Sequence, residues 1–374
     1  MKNIIFNKLR KFQILKLFRI QLGIVLLLVN YTCDKSSGPN QTQDDLMAVY
    51  PNRGNVITIV DYSTLDFVKQ IIVSLPESFY IDRMCLSSDR DYFVFIASLE
   101  KPPFSSYIVN YDVNNNAIQN IFPIGLDSVG APRLTAAYIP EEPSLIYLYS
   151  HNVGLYSIDF ITRQIDLISN ECDQSLGKLF YFSSDKKSLA ILEQHGSEPA
   201  YSKIVFYNTL SRLQNFQFIL NQNNLDSIQI DDLAFSDEGE KIFISIRVPQ
   251  MRDVANYFGS YDLERRKLYK SSLIFPWSLN PYYLAYSPKR KECYLVGAQD
   301  KFYIIGTDSA DYYLKAVVNL TGKNPSPSRI LVRPDENVAF VSCVYSNFVI
   351  AIDLENRKII KTIPIEAPYL MVLL

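Results

Sequence analysis

Histidine is almost missing from this chain: among 374 residues there are two, His151 and His195. Histidine is the side chain that ordinarily titrates near neutral pH, so its scarcity closes most routes to general acid–base catalysis. A Ser-His-Asp triad would have to use one of these two, and no GxSxG elbow is present to carry the nucleophile. His151 stands in the short turn YSHNVG and His195 in the longer loop EQHGSEPAYS, and both read as solvated turn residues. The five cysteines are scattered singly. Without CxxC or CxxCH spacing they exclude a thiolate zinc site and a covalently attached haem, so no metal and no cofactor is expected. Charge is also sparse, at 20% Asp, Glu, Lys and Arg, which is too little for a disordered or nucleic-acid-wrapping chain.

What the chain does have is a unit that recurs seven times. An apolar run ends in an acid or amide, a polar turn follows, then another apolar run. The endpoints are Asp61, Asp112, Asp159, Asn208, Asp262, Asp308 and Asp353, at steps of 51, 47, 49, 54, 46 and 45 residues. Upstream of most endpoints lies a second apolar run with its own polar turn, such as LAFSDEGE at 233–240 and ILVRPDEN at 330–337. One unit therefore reads strand A, turn, strand B, loop, strand C, turn, strand D. Four antiparallel strands at this period describe a propeller blade. The expected fold is all-β, a seven-bladed β-propeller of four-stranded antiparallel blades. The terminal segment APYLMVLL reads as a strand A without a strand B, and LMAVY at 46–50 as a strand B without a strand A. Together they complete one blade and close the ring, which removes an exposed sheet edge. The recurrent acid at one blade position reads as a turn cap, because Asp side chains bond the backbone two or three residues on.

The last unit, SPSRILVRPDENVAFVSCVYSNFVIAIDLENRKIIKTIPI at 326–365, resembles the YVTN-type β-propeller repeats of bacterial envelope proteins. Arg333-Pro334-Asp335-Glu336, Asn347 and Asp353 stand where that family carries its turn, its Asn and its Asp. The middle units depart from it, with few glycines and longer loops after strand B. There is no WD signature, since Trp277, the single tryptophan, precedes Ser278. The resemblance implies the propeller fold and a cell-envelope address, and no particular activity.

Residues 1–32 carry six Lys and Arg, no acid, and the apolar run LGIVLLLV at 22–29. This is the layout of a secretory signal, and the run is too short to span a bilayer. Cys33 follows directly, then the polar stretch DKSSGPNQTQDD at 34–45. The arrangement resembles a bacterial lipoprotein signal, which implies a lipid on Cys33, a flexible tether over 33–45 and a propeller over 46–374. The expected address is an outer-membrane or cell-surface lipoprotein, with secretion or the periplasm as the alternative. Without residues 1–32 the chain has 31 basic and 39 acidic residues, which speaks against a nucleic-acid partner. Cys85, Cys293 and Cys343 fall inside expected strands and read as buried thiols.

Two surfaces remain as candidate sites. B–C and D–A loops share one face of a propeller, and the long B–C segments 98–107, 194–202 and 247–260 all fall there. With the D–A segment they bring Phe104, Tyr201, Arg247, Arg252, Tyr257 and Trp277 to that face, residue types common in binding hot spots. The reading is a monomeric, non-enzymatic binding or assembly module, with a protein or a small anionic ligand as partner. The alternative is a lactonase-like hydrolase or isomerase at the channel mouth, where the strand A segments bring Arg83, Asp232, Tyr283 and Arg329. Two arginines with one acid suit an anion better than a cation.

Overall fold

The computed structural model describes residues 45–373 apart from 52–54, 74–78, 87–91, 100–105, 113–114, 116, 124–133, 139–143, 151–153, 170–176, 184–186, 196–200, 221–228, 238, 248–255, 276–282, 298–299, 310 and 321–324. The cysteine expected to carry lipid, the signal and the tether before Asp45 lie outside the described residues. From Asp45 onward the strands assemble into seven four-stranded antiparallel sheets. Six sheets use consecutive strands. The seventh, blade 1, joins Pro368–Leu373 to Leu46–Pro51, Val56–Asp61 and Asp66–Ile72. The closing pair runs Met47 opposite Leu373 through Tyr50 opposite Leu370. The innermost strands of successive blades touch all the way round, including blade 7 with blade 1 and blade 1 with blade 2.

The core explains why strands B and C read as continuous apolar runs rather than as alternating ones. Each blade packs a neighbour on both faces, so both sides of a central strand are covered. Strand B of blade 7, VAFVSC at Val338–Cys343, is buried at every position. The outermost strand KIIKTIP at Lys358–Pro364 keeps most of its side chains wholly or partly in solvent. The buried apolar residues fall into seven clusters, one between each pair of neighbouring blades. The cluster between blades 7 and 1 puts Met47, Val49, Val60 and Met371 against Phe340, Val349 and Ile363. Closure is thus a hydrophobic seam as well as a hydrogen-bonded ladder. Cys293 and Cys343 sit buried as free thiols, and burial pushes the Cys343 thiol up to about 12.

The turn-cap expectation holds in six units. Asp61 accepts from the backbone N–H of Ser63 and Thr64, Asp112 from Asn115, and Asp159 from Ile161 and Thr162. Asn208 accepts from Ser211, Asp262 from Arg265, and Asp353 from Glu355 and Asn356. The sixth unit differs. Its strand C is Lys301–Gly306, and Gly306 pairs with Glu292 and Tyr313 at the register where Asp353 pairs with Val338 and Lys358. Asp308 is therefore two residues past the capping position, a correction to the sequence reading. The Tyr313 ring lies over Gly306, where a Cβ would sit 2.5 Å from it and displace it.

Four residues past five of these caps the chain turns left-handed. Leu65, Arg163, Arg212, Arg266 and Arg357 have φ between 53° and 65°. In each of these five C–D turns that side chain lies on the preceding blade. Arg163 donates to Asn120 Oδ1 at 3.4 Å, Arg212 to Ser157 Oγ at 3.5 Å, and Arg357 to the Lys315 carbonyl at 3.3 Å. Arg266 lies over the Phe216 ring at 5.4 Å, and Leu65 enters the seam between blades 1 and 7. The repeat thus carries a strap from blade to blade, written in the sequence as D/N-x-x-x-R at 159–163, 208–212, 262–266 and 353–357.

Candidate functional site: the channel wall

Strand A of each blade lines the central channel, and four of these strands are bulged at one place. The register slips at Asp82 in blade 2, Asp231 in blade 5, Ser328 in blade 7 and Tyr369 in blade 1. An extra residue in one strand bends it and re-aims the side chains that follow. The residues after the bulges are Arg83, Asp232, Arg329 and Leu370, so a single layer around the channel contains three of the four channel-mouth candidates. Arg83 is described by its backbone, and its side chain lies outside the described residues.

Asp232 is buried and ties three blades together. Tyr181 of blade 4 donates its hydroxyl to Oδ1, and the Leu233 N–H reaches the same oxygen at 3.1 Å. The Leu284 N–H of blade 6 donates to Oδ2 at 2.8 Å. The Asp232 N–H is taken by Ser245 Oγ at 3.1 Å. Burial raises the Asp232 carboxyl above its ordinary range, against the pull of Arg329, the Tyr181 hydroxyl and the two N–H donors. Its neighbour Asp231 is 1% exposed at the side chain and pairs with Arg247 Nε at 2.9 Å. Arg247 also donates to Gln229 Oε1 at 3.0 Å, so this candidate contact residue is folded onto its own blade.

Arg329 of blade 7 lies against aromatic rings from the blades on either side. Its guanidinium carbon is 4.3 Å from the centre of the Tyr283 ring of blade 6 and 5.5 Å from that of Tyr369 of blade 1. Such contacts stabilise a cation more as it is desolvated. Below this layer, toward the A–B turns, a cavity of about 430 Å³ opens between blades 4, 5 and 6. Tyr181, Leu233, Phe235, Asp237, Leu284 and Tyr286 line it.

The B–C face is described in part. Strand B of blade 5 runs to Arg247 and strand C begins at Asn256, so the connection is 248–255 rather than 247–260. The connections 100–105 and 196–200 are likewise shorter than the sequence suggested. Tyr257 is consequently a strand residue opposite Ile246, half-buried against the apolar cluster of blades 4 and 5, with Lys270 Nζ 5.3 Å above its ring. Tyr201 starts strand C of blade 4, opposite His195. Arg252, Phe104 and Trp277 lie outside the described residues, as does His151. The structure brings Asp232, Tyr283 and Arg329 together, and adds Tyr181 and Tyr369, which sequence reasoning missed. Bulges aim Asp232 and Arg329 and carry Tyr369 itself, and no residue pattern announces a bulge.

No protein-family model matches the chain, and no curated protein matches it by sequence. Solved structures do match. A chain of Kuenenia stuttgartiensis hydrazine synthase superposes with a TM-score of 0.64 at 15% identity, covering 87% of this chain and 98% of that one. The β-propeller domain of Myceliophthora thermophila Cps50 (Swd1) gives 0.57 at 10% identity over 83% and 94%. The dihydro-haem d1 dehydrogenase NirN gives 0.57 at 10% identity over 89% and 75%. At such identities the likeness is one of fold alone: this chain is built as a seven-bladed β-propeller, an architecture that implies no particular activity.

Proposed function

We propose that the protein is a non-enzymatic binding propeller displayed at a bacterial cell envelope, held there by a lipid on Cys33. The observation that carries this reading is the state of Asp232. The one acid in the channel layer Arg83–Asp232–Arg329 is spent as a structural tie, accepting from Tyr181, Leu233 and Leu284. A general base must instead be within reach of the proton that it abstracts. The YVTN-type resemblance of 326–365 and the basic–apolar–Cys layout of 1–33 support the address.

The test is fractionation and capture from native membranes. Cys33→Ser should move the protein from the membrane to the soluble fraction, since firm attachment depends on acyl chains. Arg252→Ala should reduce capture of the membrane partner by tenfold or more with an unchanged melting temperature. Retention of Cys33→Ser in the membrane would refute the anchor. Full capture by Arg252→Ala, with capture lost on changing Arg290 of the opposite face, would refute the contact face.

A further inference from the structure

Arg329 is a half-buried cation whose donors are nearly idle. A guanidinium has five N–H donors in one plane. Here one of them reaches a protein acceptor, the Ser328 carbonyl, at 3.4 Å, near the limit of a hydrogen bond. Among the described residues no carboxylate lies within ion-pair distance of it; both oxygens of Asp232 are taken by Tyr181, Leu233 and Leu284. Every other described arginine that points inward has a partner of its own, as Arg247 has Asp231 and Arg290 has Glu292 at 3.3 Å. Asp232 attracts it only from beyond ion-pair distance, and holding a charge out of water without a directly paired counter-charge is costly. The bulge at Ser328 presents this side chain to the channel, and Tyr283 and Tyr369 brace it from the neighbouring blades.

The rings lie against the guanidinium carbon, and its N–H donors other than the one on the Ser328 carbonyl have no acceptor among the described residues. An edge-on fork of parallel N–H groups matches the two oxygens of a carboxylate in one plane. We propose that Arg329, braced by Tyr283 and Tyr369, is the anchor of a carboxylate-binding site in the propeller channel. The ligand is a small organic acid that reaches the channel from solution and supplies the direct ion pair that Asp232, bound to Tyr181, Leu233 and Leu284, does not make. This site is separate from the B–C face and stands or falls independently of the envelope reading.

The experiment titrates the full-length, detergent-solubilised chain with succinate and with inorganic phosphate at low ionic strength, followed by calorimetry. Saturable succinate binding is expected. Arg329→Met should weaken it at least tenfold. Arg329→Lys keeps the charge but lacks the planar fork, and should weaken it several-fold at an unchanged near-ultraviolet dichroism spectrum. The Lys variant decides the matter if the Met variant does not fold. Absence of saturable succinate binding to the folded wild-type protein would overturn the proposal. So would equal affinity in a folded Arg329→Met or Arg329→Lys, and phosphate binding tighter than succinate would overturn the choice of a carboxylate.

Discussion

The left-handed arginine straps set two opposing effects at one residue, and substitution separates them. Arg266 has φ 53° and lies over the Phe216 ring of the preceding blade. The left-handed conformation costs an L-residue roughly 1–2 kcal/mol, and glycine is exempt. An exposed cation–ring contact returns about 0.5–1 kcal/mol. Arg266→Ala keeps the strain and loses the contact, so it should destabilise by about 0.5–1 kcal/mol. Arg266→Gly loses the contact and sheds the strain, so it should lie within about 0.5 kcal/mol of the parent and about 1 kcal/mol above the alanine variant. Repeating the change at Arg163, Arg212 and Arg357 multiplies the contrast, because residues on different blades and without shared partners act nearly additively. The fourfold alanine variant should lose about 2–4 kcal/mol and the fourfold glycine variant should stay near the parent. Urea unfolding followed by tyrosine fluorescence, with the slope checked for constancy, measures this directly. If glycine proves as damaging as alanine, the strain argument is wrong; if alanine costs nothing, the straps carry no energy.

Deleting 368–374 removes Met371 from the seam between blades 7 and 1 and strips the partner of Leu46–Pro51; the thermal midpoint should fall by about 10 °C or more, and an unchanged midpoint would disprove closure. Gly259→Ala should cost about 1–3 kcal/mol in chemical denaturation, because the new Cβ would meet the Tyr269 carbonyl at 2.8 Å and backbone must move. Gly306→Ala should cost less, since the exposed Tyr313 ring can swing aside. Asp335 is held at about 2, first by the hydrogen bond from Arg333. Its folded value is below its unfolded one, so the stability it contributes is present above pH 4 and lost as pH falls toward 2. Acid titrations of Asp335→Asn should be flatter over that interval, and a curve superimposable on the parent would remove Asp335 from the acid response.

Much of the fold was legible because the repeat imposes a register. The caps at Asp61, Asp112, Asp159, Asn208, Asp262 and Asp353 are chemically necessary where a C–D turn leaves N–H groups unpaired, so they recur where the turn recurs. Asp308 misled because an acid two residues late looks the same in sequence, whereas Gly306 answers to the ring of Tyr313, a contact that spacing does not reveal. The straps were legible in principle as an arginine four residues after the cap. The channel layer was legible only as a set of residue types. Which of Asp231 and Asp232 faces the channel depends on a one-residue bulge, and so does the division of labour between them. The stacking of Arg329 on Tyr283 and Tyr369 joins three blades, and local pattern carries no trace of it.

The blade that joins both ends of the propeller also orders its folding in time. Pro368–Leu373 are made more than three hundred residues after the strand Leu46–Pro51 that they pair with. Until they arrive, blade 1 is a three-stranded sheet whose inner strand shows a row of unsatisfied backbone groups and whose apolar faces lack the seam to blade 7. Contacts of such separation form slowly, because a long loop must close before they give any return. A chain emerging from the ribosome therefore carries an adhesive edge for most of its synthesis, and that edge is where a chaperone, or another unfinished copy, would first take hold.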